Sequence, residues 1–155
     1  MIKYSKGTIK DYDKIVELGE TWWEDSLFYK LYGIEFKPSR AIFEELDKLG
    51  ALFVILGKVD DRLISCYVGA KSPYPFNPSI MTVVEFVWCI HKDYRTFKNL
   101  MGLLKEIDRV MLEEHVNFYS LAVSEEERYD SLAKIMSREK FNKMETEYSK
   151  FRRSL

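Results

Sequence analysis

The stretch that decides the fold runs from residue 81 to residue 104 and reads MTVVEFVWCIHKDYRTFKNLMGLL. Its first half, residues 81–91, is an apolar run rich in β-branched and aromatic residues, which is typical of a strand in the middle of a sheet. Residues 92–94 read as a turn. From Thr96 onward, apolar residues recur at helical spacing at Leu100, Leu103, Leu104, Ile107, Val110 and Met111. The pattern predicts a strand, a turn and an amphipathic helix over residues 96–116.

Upstream of this stretch, the pattern predicts one strand, two helices and a hairpin. Residues 2–4 read as a short strand, and Thr8 as the N-cap of a first helix that contains Trp22. Residues 26–37 read as an irregular or short helical connection. Ser39 precedes a second helix that Gly50 ends. The hairpin follows, with strands over residues 51–59 and 62–70.

Residues 72–79 hold three of the four prolines and are expected to form an exposed loop. Downstream of the central helix we expect a strand over residues 118–123 and a helix from Ser124 to about residue 140. Its apolar positions Leu132, Ile135 and Met136 would face inward. A final strand would cover residues 143–151.

The element order is therefore β-α-α-β-β-β-α-β-α-β. It predicts one domain over residues 1–155, of the α/β (α+β) class, with a mixed central sheet of about six to seven strands and four helices.

Composition narrows the classes of function. The net charge of −1 argues against a nucleic-acid track, although Lys92, Arg95 and Lys98 make the middle of the chain basic enough for a small anionic ligand. Cys66 and Cys89 lie in apolar strand-like runs and suggest buried free thiols in a reducing compartment. No Cys/His cluster has metal-ligand spacing. No apolar run approaches the roughly 18–20 residues of a membrane span, so we expect a cytoplasmic protein.

Four short motifs occur in an order that is familiar from one superfamily. Residues 8–15, TIKDYDKI, look like its first strand-to-helix step, and residues 85–90, EFVWCI, resemble its fourth strand. Residues 91–95, HKDYR, are similar to its Val-x-Pro-x-x-Arg motif, and residues 139–141, EKF, to its Gly-Phe ending. Over nearly its whole length the chain resembles the GCN5-related N-acetyltransferase (GNAT) superfamily, especially small acetyltransferase-like proteins of bacteriophages.

The resemblance implies acetyl-coenzyme A (acetyl-CoA) as co-substrate, held between the fourth and fifth strands. The family loop Arg/Gln-x-x-Gly-x-Gly/Ala aligns with residues 95–100, where Arg95 matches but Lys98 and Leu100 replace the glycines. In one interpretation the helix N-terminus still binds the pyrophosphate, helped by the two cations. In the other, side chains fill the groove. The residues implied in coenzyme binding are Ile90, Arg95, Phe97, Lys98, Asn99 and Leu100. Of these, Ile90 would bond the pantetheine arm of the coenzyme through its main chain.

The resemblance also implies a general base, for which Glu85 is the candidate. Strand alternation would put Glu85 on the face of Val87, Cys89 and His91, where apolar surroundings would raise its pKa. The alternative is a structural Glu tied to a helix N-terminus or to an arginine. The general-acid position of the family falls on Met136, which cannot donate a proton. Tyr148 is the catalytic substitute that we predict, with Tyr129 as a second candidate.

The acceptor site of the family corresponds to the end of the first helix and the segment after it. Trp23 and Tyr29 are therefore the candidate substrate-binding residues, and residues 72–79 could close over them. The resulting prediction is an acyl-CoA-dependent, acetyl-transferring N-acyltransferase that acts on an amine of a small molecule or a protein. The alternative is a catalytically inactive GNAT-fold binding module, for instance a viral protein that binds a host protein. The exposed aromatics would also suit a homodimer.

Overall fold

The computed structural model describes residues 2–122 and 129–141, and side chains from residue 132 onward in the second range. Within these ranges, five strands form one sheet in chain order. The first four pair antiparallel with their neighbours, and the fifth lies parallel to the fourth. The strands are β1 (Lys3–Lys6), β2 (Leu52–Val59), β3 (Arg62–Tyr74), β4 (Asn77–Ile90) and β5 (Phe118–Tyr119).

Five α-helices cover this sheet: α1 (Tyr12–Trp23), α2 (Leu27–Tyr32), α3 (Arg40–Lys48), α4 (Phe97–Glu113) and α5 (Tyr129–Arg138). A 3-10 turn precedes α1, and Thr8 caps it in a reciprocal capping box with Asp11, as a Thr-x-x-acid sequence allows. α4 forms the crossover that parallel strands require between β4 and β5. None of the described helices is long and apolar enough to cross a membrane.

The core has two layers, one on each face of the sheet. β2 is buried on both faces, so its side chains alternate between the layers: Phe53 and Ile55 pack under α4, whereas Val54 and Leu56 pack under α1. The α4 layer also takes in Met136 from α5. The structure confirms the inward positions of α5 that periodicity predicts, which are Leu132, Ile135 and Met136.

The count of elements differs from the prediction of four helices and six to seven strands. The described part of the chain has five strands and one additional helix, α2. Ser26 caps α2 through an oxygen that accepts the Tyr29 N–H at 3.3 Å, and Gly33 ends it at a φ of +63°. At six residues, α2 is too short to display a helical repeat, which is why the pattern left this connection open. The predicted strand 143–151 lies outside the described residues.

The loop predicted over residues 72–79 is wrong, although its exposure is confirmed. β3 and β4 continue through it as a two-stranded ribbon that turns at residues 75–76. Pro73 pairs with Met81, and Pro78 lies within β4. β2 reaches only as far as Ala70 on β3, and β5 pairs with β4 only at Thr82 and Val83, so Pro73 and Pro78 lie where no third described strand pairs with the ribbon. Proline is tolerated at such edges because its missing N–H removes no ladder bond.

Candidate functional site

β4 and β5 separate soon after they meet. Their ladder consists of two pairs, Thr82 with Phe118 and Val83 with Tyr119. Past these pairs, side chains replace the ladder: the indole Nε1 of Trp88 donates to the Ala122 carbonyl at 2.7 Å, and the Ala122 N–H donates to Glu85 at 2.8 Å. We call the opening between residues 84–90 and residues 120–122 the β4–β5 gap. The hydroxyl of Tyr67 also reaches this segment, donating to the Ser120 carbonyl at 3.3 Å.

A β-bulge in β4 decides which way Glu85 faces. Val68 pairs with Val87, but its neighbour Gly69 pairs with Glu85, so Phe86 is an extra residue on β4. The bulge corrects the prediction that Glu85 shares a face with Val87, Cys89 and His91. Glu85 lies on the α4 face with Tyr67, because the extra residue reverses the alternation. Gly69 is needed opposite the bulge, since a Cβ there would lie 2.5 Å from the Val84 carbonyl oxygen.

The surroundings of Glu85 change its acidity. Burial raises the pKa of its carboxyl to about 7, although the hydrogen bond from the Ala122 N–H works in the opposite direction. Burial, and then the charge of Glu85, raise the pKa of the neighbouring Tyr67 phenol. The alternative of a Glu tied to an arginine or a helix N-terminus is not what the structure shows, because its hydrogen-bond partner is a main-chain N–H in the β5 connection. A carboxyl that titrates near neutrality can both take and return a proton.

The residues predicted to bind the coenzyme lie together where β4 ends and α4 begins. Thr96 caps α4 through the N–H of Asn99 at 3.2 Å, which leaves the N–H groups of Phe97 and Lys98 without partners inside the helix. Lys98 and Phe97 are exposed, whereas Leu100 is buried in the core under the helix. Leu100 therefore does not plug the gap as one interpretation required.

Arg95 has a different contact from the one predicted. Its Nε donates to the Ile90 carbonyl at 3.0 Å, and this is the main-chain group expected to hold the pantetheine arm. A carbonyl oxygen has two lone pairs, so the Arg95 bond leaves one free. His91, directly after Ile90, is buried, with its Nε2 3.2 Å from Arg62 and its Nδ1 accepting the Asp93 N–H at 3.4 Å.

On the other face of β4, the structure has a cavity of about 450 Å³, which we call the apolar cavity. It lies between α1, α2, α3 and the bulge of β4. Trp23 lines it, as the substrate-site prediction requires, but Tyr29 is not part of its lining and is exposed to solvent. The lining residues are Ile15, Val16, Gly19, Trp22, Trp23, Phe28, Ile34, Phe36, Pro38, Ser39, Ile42, Phe43, Cys66, Phe86 and Val87.

Sequence reasoning missed three residues that shape the β4–β5 gap and the apolar cavity. Phe86 is the bulged residue, and Trp88 and Tyr67 hold the β5 connection across the gap. Tyr67 and Trp88 are cross-strand partners on β3 and β4. Their pairing could have been predicted from the sequence once the register of the two strands was known. Met136 packs in the core, as expected of a residue that has no proton to give. Tyr148 lies outside the described residues and stays a prediction.

No protein-family model matches the chain, and no curated protein matches its sequence. Solved structures do match its fold. An aminoglycoside acetyltransferase from an uncultured soil metagenomic sample is 8% identical with a TM-score of 0.75, and 99% of each chain is covered. A second one from such a sample, in complex with sisomicin, is 10% identical with a TM-score of 0.68, covering 99% of this chain and 96% of that one.

A third structure is a predicted acetyltransferase from Clostridium acetobutylicum with acetyl-CoA. It is 15% identical with a TM-score of 0.68, and the match covers 98% of this chain and 96% of that one. At such identities the likeness concerns the fold alone. Over nearly its full length, the chain therefore has the fold of these acetyltransferases.

Proposed function

We propose that the chain is an N-acyltransferase that moves an acetyl group from acetyl-CoA to an amine. The observation that carries the proposal is the β4–β5 gap with Glu85 beside it. Acetyl-CoA bound in the gap would supply the activated acyl group as a thioester. The structural neighbours include one solved with acetyl-CoA, which supports the choice of co-substrate.

The residues around the gap suit such a ligand. The two unpartnered N–H groups at the start of α4 and the positive end of the helix dipole favour a phosphate group. Lys98 is exposed beside them and adds charge. The Ile90 carbonyl has a lone pair left, and β4 is not paired with β5 beyond Val83. Both features offer main-chain hydrogen-bond partners to the amide groups of the coenzyme's pantetheine arm. The lost glycines are tolerated here because Leu100 turns into the core.

In the reaction, an unprotonated amine attacks the thioester carbonyl, the C–S bond breaks, and a proton passes from nitrogen to the departing thiolate. Glu85 is the group that we propose to take the amine proton, directly or through water, since its pKa of about 7 suits proton transfer near neutrality. For the thiolate, Tyr148 is the proposed proton donor. The hydroxyl of Tyr67 lies on the face of Glu85, but its raised pKa makes it a poor proton donor.

A second candidate function is a binding module of the same fold without catalysis. The observation that favours it is that side chains of this chain already bind main-chain carbonyls at the gap. Trp88 donates a hydrogen bond to the Ala122 carbonyl, and Arg95 donates one to the Ile90 carbonyl. If the Trp88 contact is permanent, it keeps residue 122 tied to β4 and leaves no room for a coenzyme arm between them. Homodimer formation, a protein acceptor, cytoplasmic location and the phage-like origin stay predictions.

The experiment that separates the two functions is calorimetric titration of acetyl-CoA into the protein. We expect binding in the wild type and its loss in an Arg95→Ala, Lys98→Ala double variant, because both exposed cations flank the start of α4, where the phosphate is proposed to bind. Lys105→Ala, which removes a charge from the exposed side of the same helix, is the matched control and should bind like the wild type. Absence of binding to the wild type would refute the acyltransferase proposal and favour the binding module.

A further inference from the structure

The wall of the apolar cavity carries no charge, since every residue that lines it among the described ranges is uncharged. Three large hydrophobic side chains of this wall are strongly exposed: Phe28 at 49%, Ile42 at 57% and Phe86 at 45%. All three side chains belong to the lining of this one cavity. Contiguous apolar exposure of this kind is typical of a site that a ligand covers.

The cavity also has little capacity for hydrogen bonding. The indole N–H of Trp23 is already used, because it donates to the Ile34 carbonyl at 2.6 Å. The remaining polar side-chain groups of the lining are the indole N–H of Trp22, the hydroxyl of Ser39 and the thiol of Cys66, whose Sγ lies 3.6 Å from the Sγ of Cys89. An aminosugar with several ammonium and hydroxyl groups would lose its hydration here without carboxylates or other partners in exchange.

Acidic residues do line a second, smaller pocket on another side of α1. That pocket has a volume of about 100 Å³ and includes Glu17 and Asp61, but Lys14 and Arg62 balance their charge. Small-molecule sites usually measure about 300–1,000 Å³. The charged pocket is thus too small for a sugar ring, while the apolar cavity lies at the compact end of the range.

Six aromatic side chains line the wall, and neighbouring rings are stacked or tilted: Trp23 stacks on Phe28 at 6.0 Å between centroids and an interplanar angle of 5°. Trp23 and Phe36 lie 5.4 Å apart between centroids at 39°, and Phe43 and Phe86 lie 6.2 Å apart at 53°. Aromatic rings attract one another in tilted and offset arrangements. A planar ring is therefore the body that this wall suits best.

The apolar cavity and the β4–β5 gap lie on opposite faces of β4 and adjoin at the bulge, where β4 is not paired with β5. Phe86 and Val87 line the cavity, and Glu85, the preceding residue, lies on the other face of β4. We propose that the apolar cavity holds the ring of a compact aromatic monoamine, whose nitrogen reaches the gap at the bulge, and that the acceptor is not an aminoglycoside. That the ligand is an amine rests on the proposed function, whereas its aromatic body rests on the cavity.

The test uses phenethylamine as the probe, titrated into the full chain without acetyl-CoA, so that it reports on the cavity alone. Putrescine, an amine without a ring, and sisomicin serve as comparison ligands. We expect phenethylamine to bind at least about tenfold more tightly than either, because ring burial and ring contacts supply its affinity. In Phe86→Ala its affinity should fall about tenfold.

Two matched controls keep the test independent of folding. Phe76→Ala makes the same change at the tip of the same ribbon, where the side chain is 89% exposed, and should leave phenethylamine binding within about twofold. Ile42→Lys places an ammonium at the exposed wall and should weaken binding, whereas Leu49→Lys, just past the end of the same helix and outside the cavity, should not. Circular dichroism checks that each variant is folded.

The outcomes separate the cavity from the proposed function. Selective phenethylamine binding that Phe86→Ala weakens supports the cavity, and acetylation of phenethylamine in the presence of acetyl-CoA supports the amine as well. Binding of phenethylamine without its acetylation would support an aromatic ligand in the cavity but count against that ligand as the acetyl acceptor. Tighter binding of sisomicin, or equal effects of Phe86→Ala and Phe76→Ala, would overturn the inference even if acetyl-CoA binds.

Discussion

Replacement of Glu85 by glutamine should stabilise the protein, and more so as the pH rises. Gln keeps a carbonyl oxygen that can accept the Ala122 N–H, so the hydrogen bond survives while the ionisable group disappears. In the folded protein the Glu85 carboxyl has a pKa of about 7 in place of an ordinary 4.5. Between these values the folded state binds more protons than the unfolded state, so the stability of the wild type falls as the pH rises.

The magnitude follows from the two pKa values. Each pH unit between them corresponds to about 1.36 kcal/mol of unfolding free energy. The carboxylate therefore costs the folded wild type about 3 kcal/mol at about pH 8 and about 1 kcal/mol at about pH 5. The advantage of Glu85→Gln over the wild type should grow by about 2 kcal/mol over this range.

The assay is urea denaturation of both proteins across this pH range. Glu45→Gln, on the exposed side of α3, is the control for removing a negative charge from the protein. An advantage of Glu85→Gln that is the same at both ends of the range would refute the reasoning. So would a variant that is less stable than the wild type at alkaline pH. If the proposed function holds, the acetylation rate of the wild type should rise with pH around pH 7, as Glu85 loses its proton. Glu85→Gln should abolish this rise.

Three further changes test the structure around the site. Gly19→Ala places a Cβ 2.5 Å from the ring tip of Phe36, so we expect urea denaturation to show a loss of about 1–2 kcal/mol, although alanine is the better helix former; a gain would show that the ring yields freely. Trp88→Phe removes the donor to the Ala122 carbonyl and should cost about 1 kcal/mol in thermal unfolding, whereas an unchanged midpoint would mean that the gap is not held by this bond. Thr96→Ala removes the cap of α4 and should cost about 1 kcal/mol, with Thr96→Ser restoring most of it; equal losses in both would point away from capping.

The spacing of apolar residues is sufficient to predict the elements in which that spacing is regular. The central strand, the turn and α4 were predicted within a few residues, because the switch from a continuous apolar run to helical spacing occurs at one place in the sequence. The predicted cap at Thr8 is confirmed on the 3-10 turn that leads into α1, because a hydroxyl three residues before an acid can form a capping box. The expected position of the coenzyme loop at the start of α4 followed from this framework together with the family resemblance.

The bulge could not be predicted in this way. A strand with one extra residue looks the same in sequence as a regular strand, because Glu85, Val87 and Cys89 still alternate with their neighbours. What sets the bulge is the partner strand, where Gly69 leaves room for the Val84 carbonyl. The exposure of Tyr29 could not be predicted either, since it depends on α2, which turns Tyr29 to solvent while Trp23, on the preceding helix, lines the cavity.

The short ladder between β4 and β5 has a consequence for local unfolding. β2, β3 and β4 are joined by long ladders between neighbours in sequence, whereas the chain from Phe118 to Ala122 has two ladder pairs and four side-chain hydrogen bonds among the described residues. Segments with few main-chain bonds open at a much lower free energy than the whole domain. Amide hydrogens there should exchange sooner than those of β2 and β3. Transient opening of this segment would free the Ala122 carbonyl and the edge of β4 while the rest of the sheet stays folded.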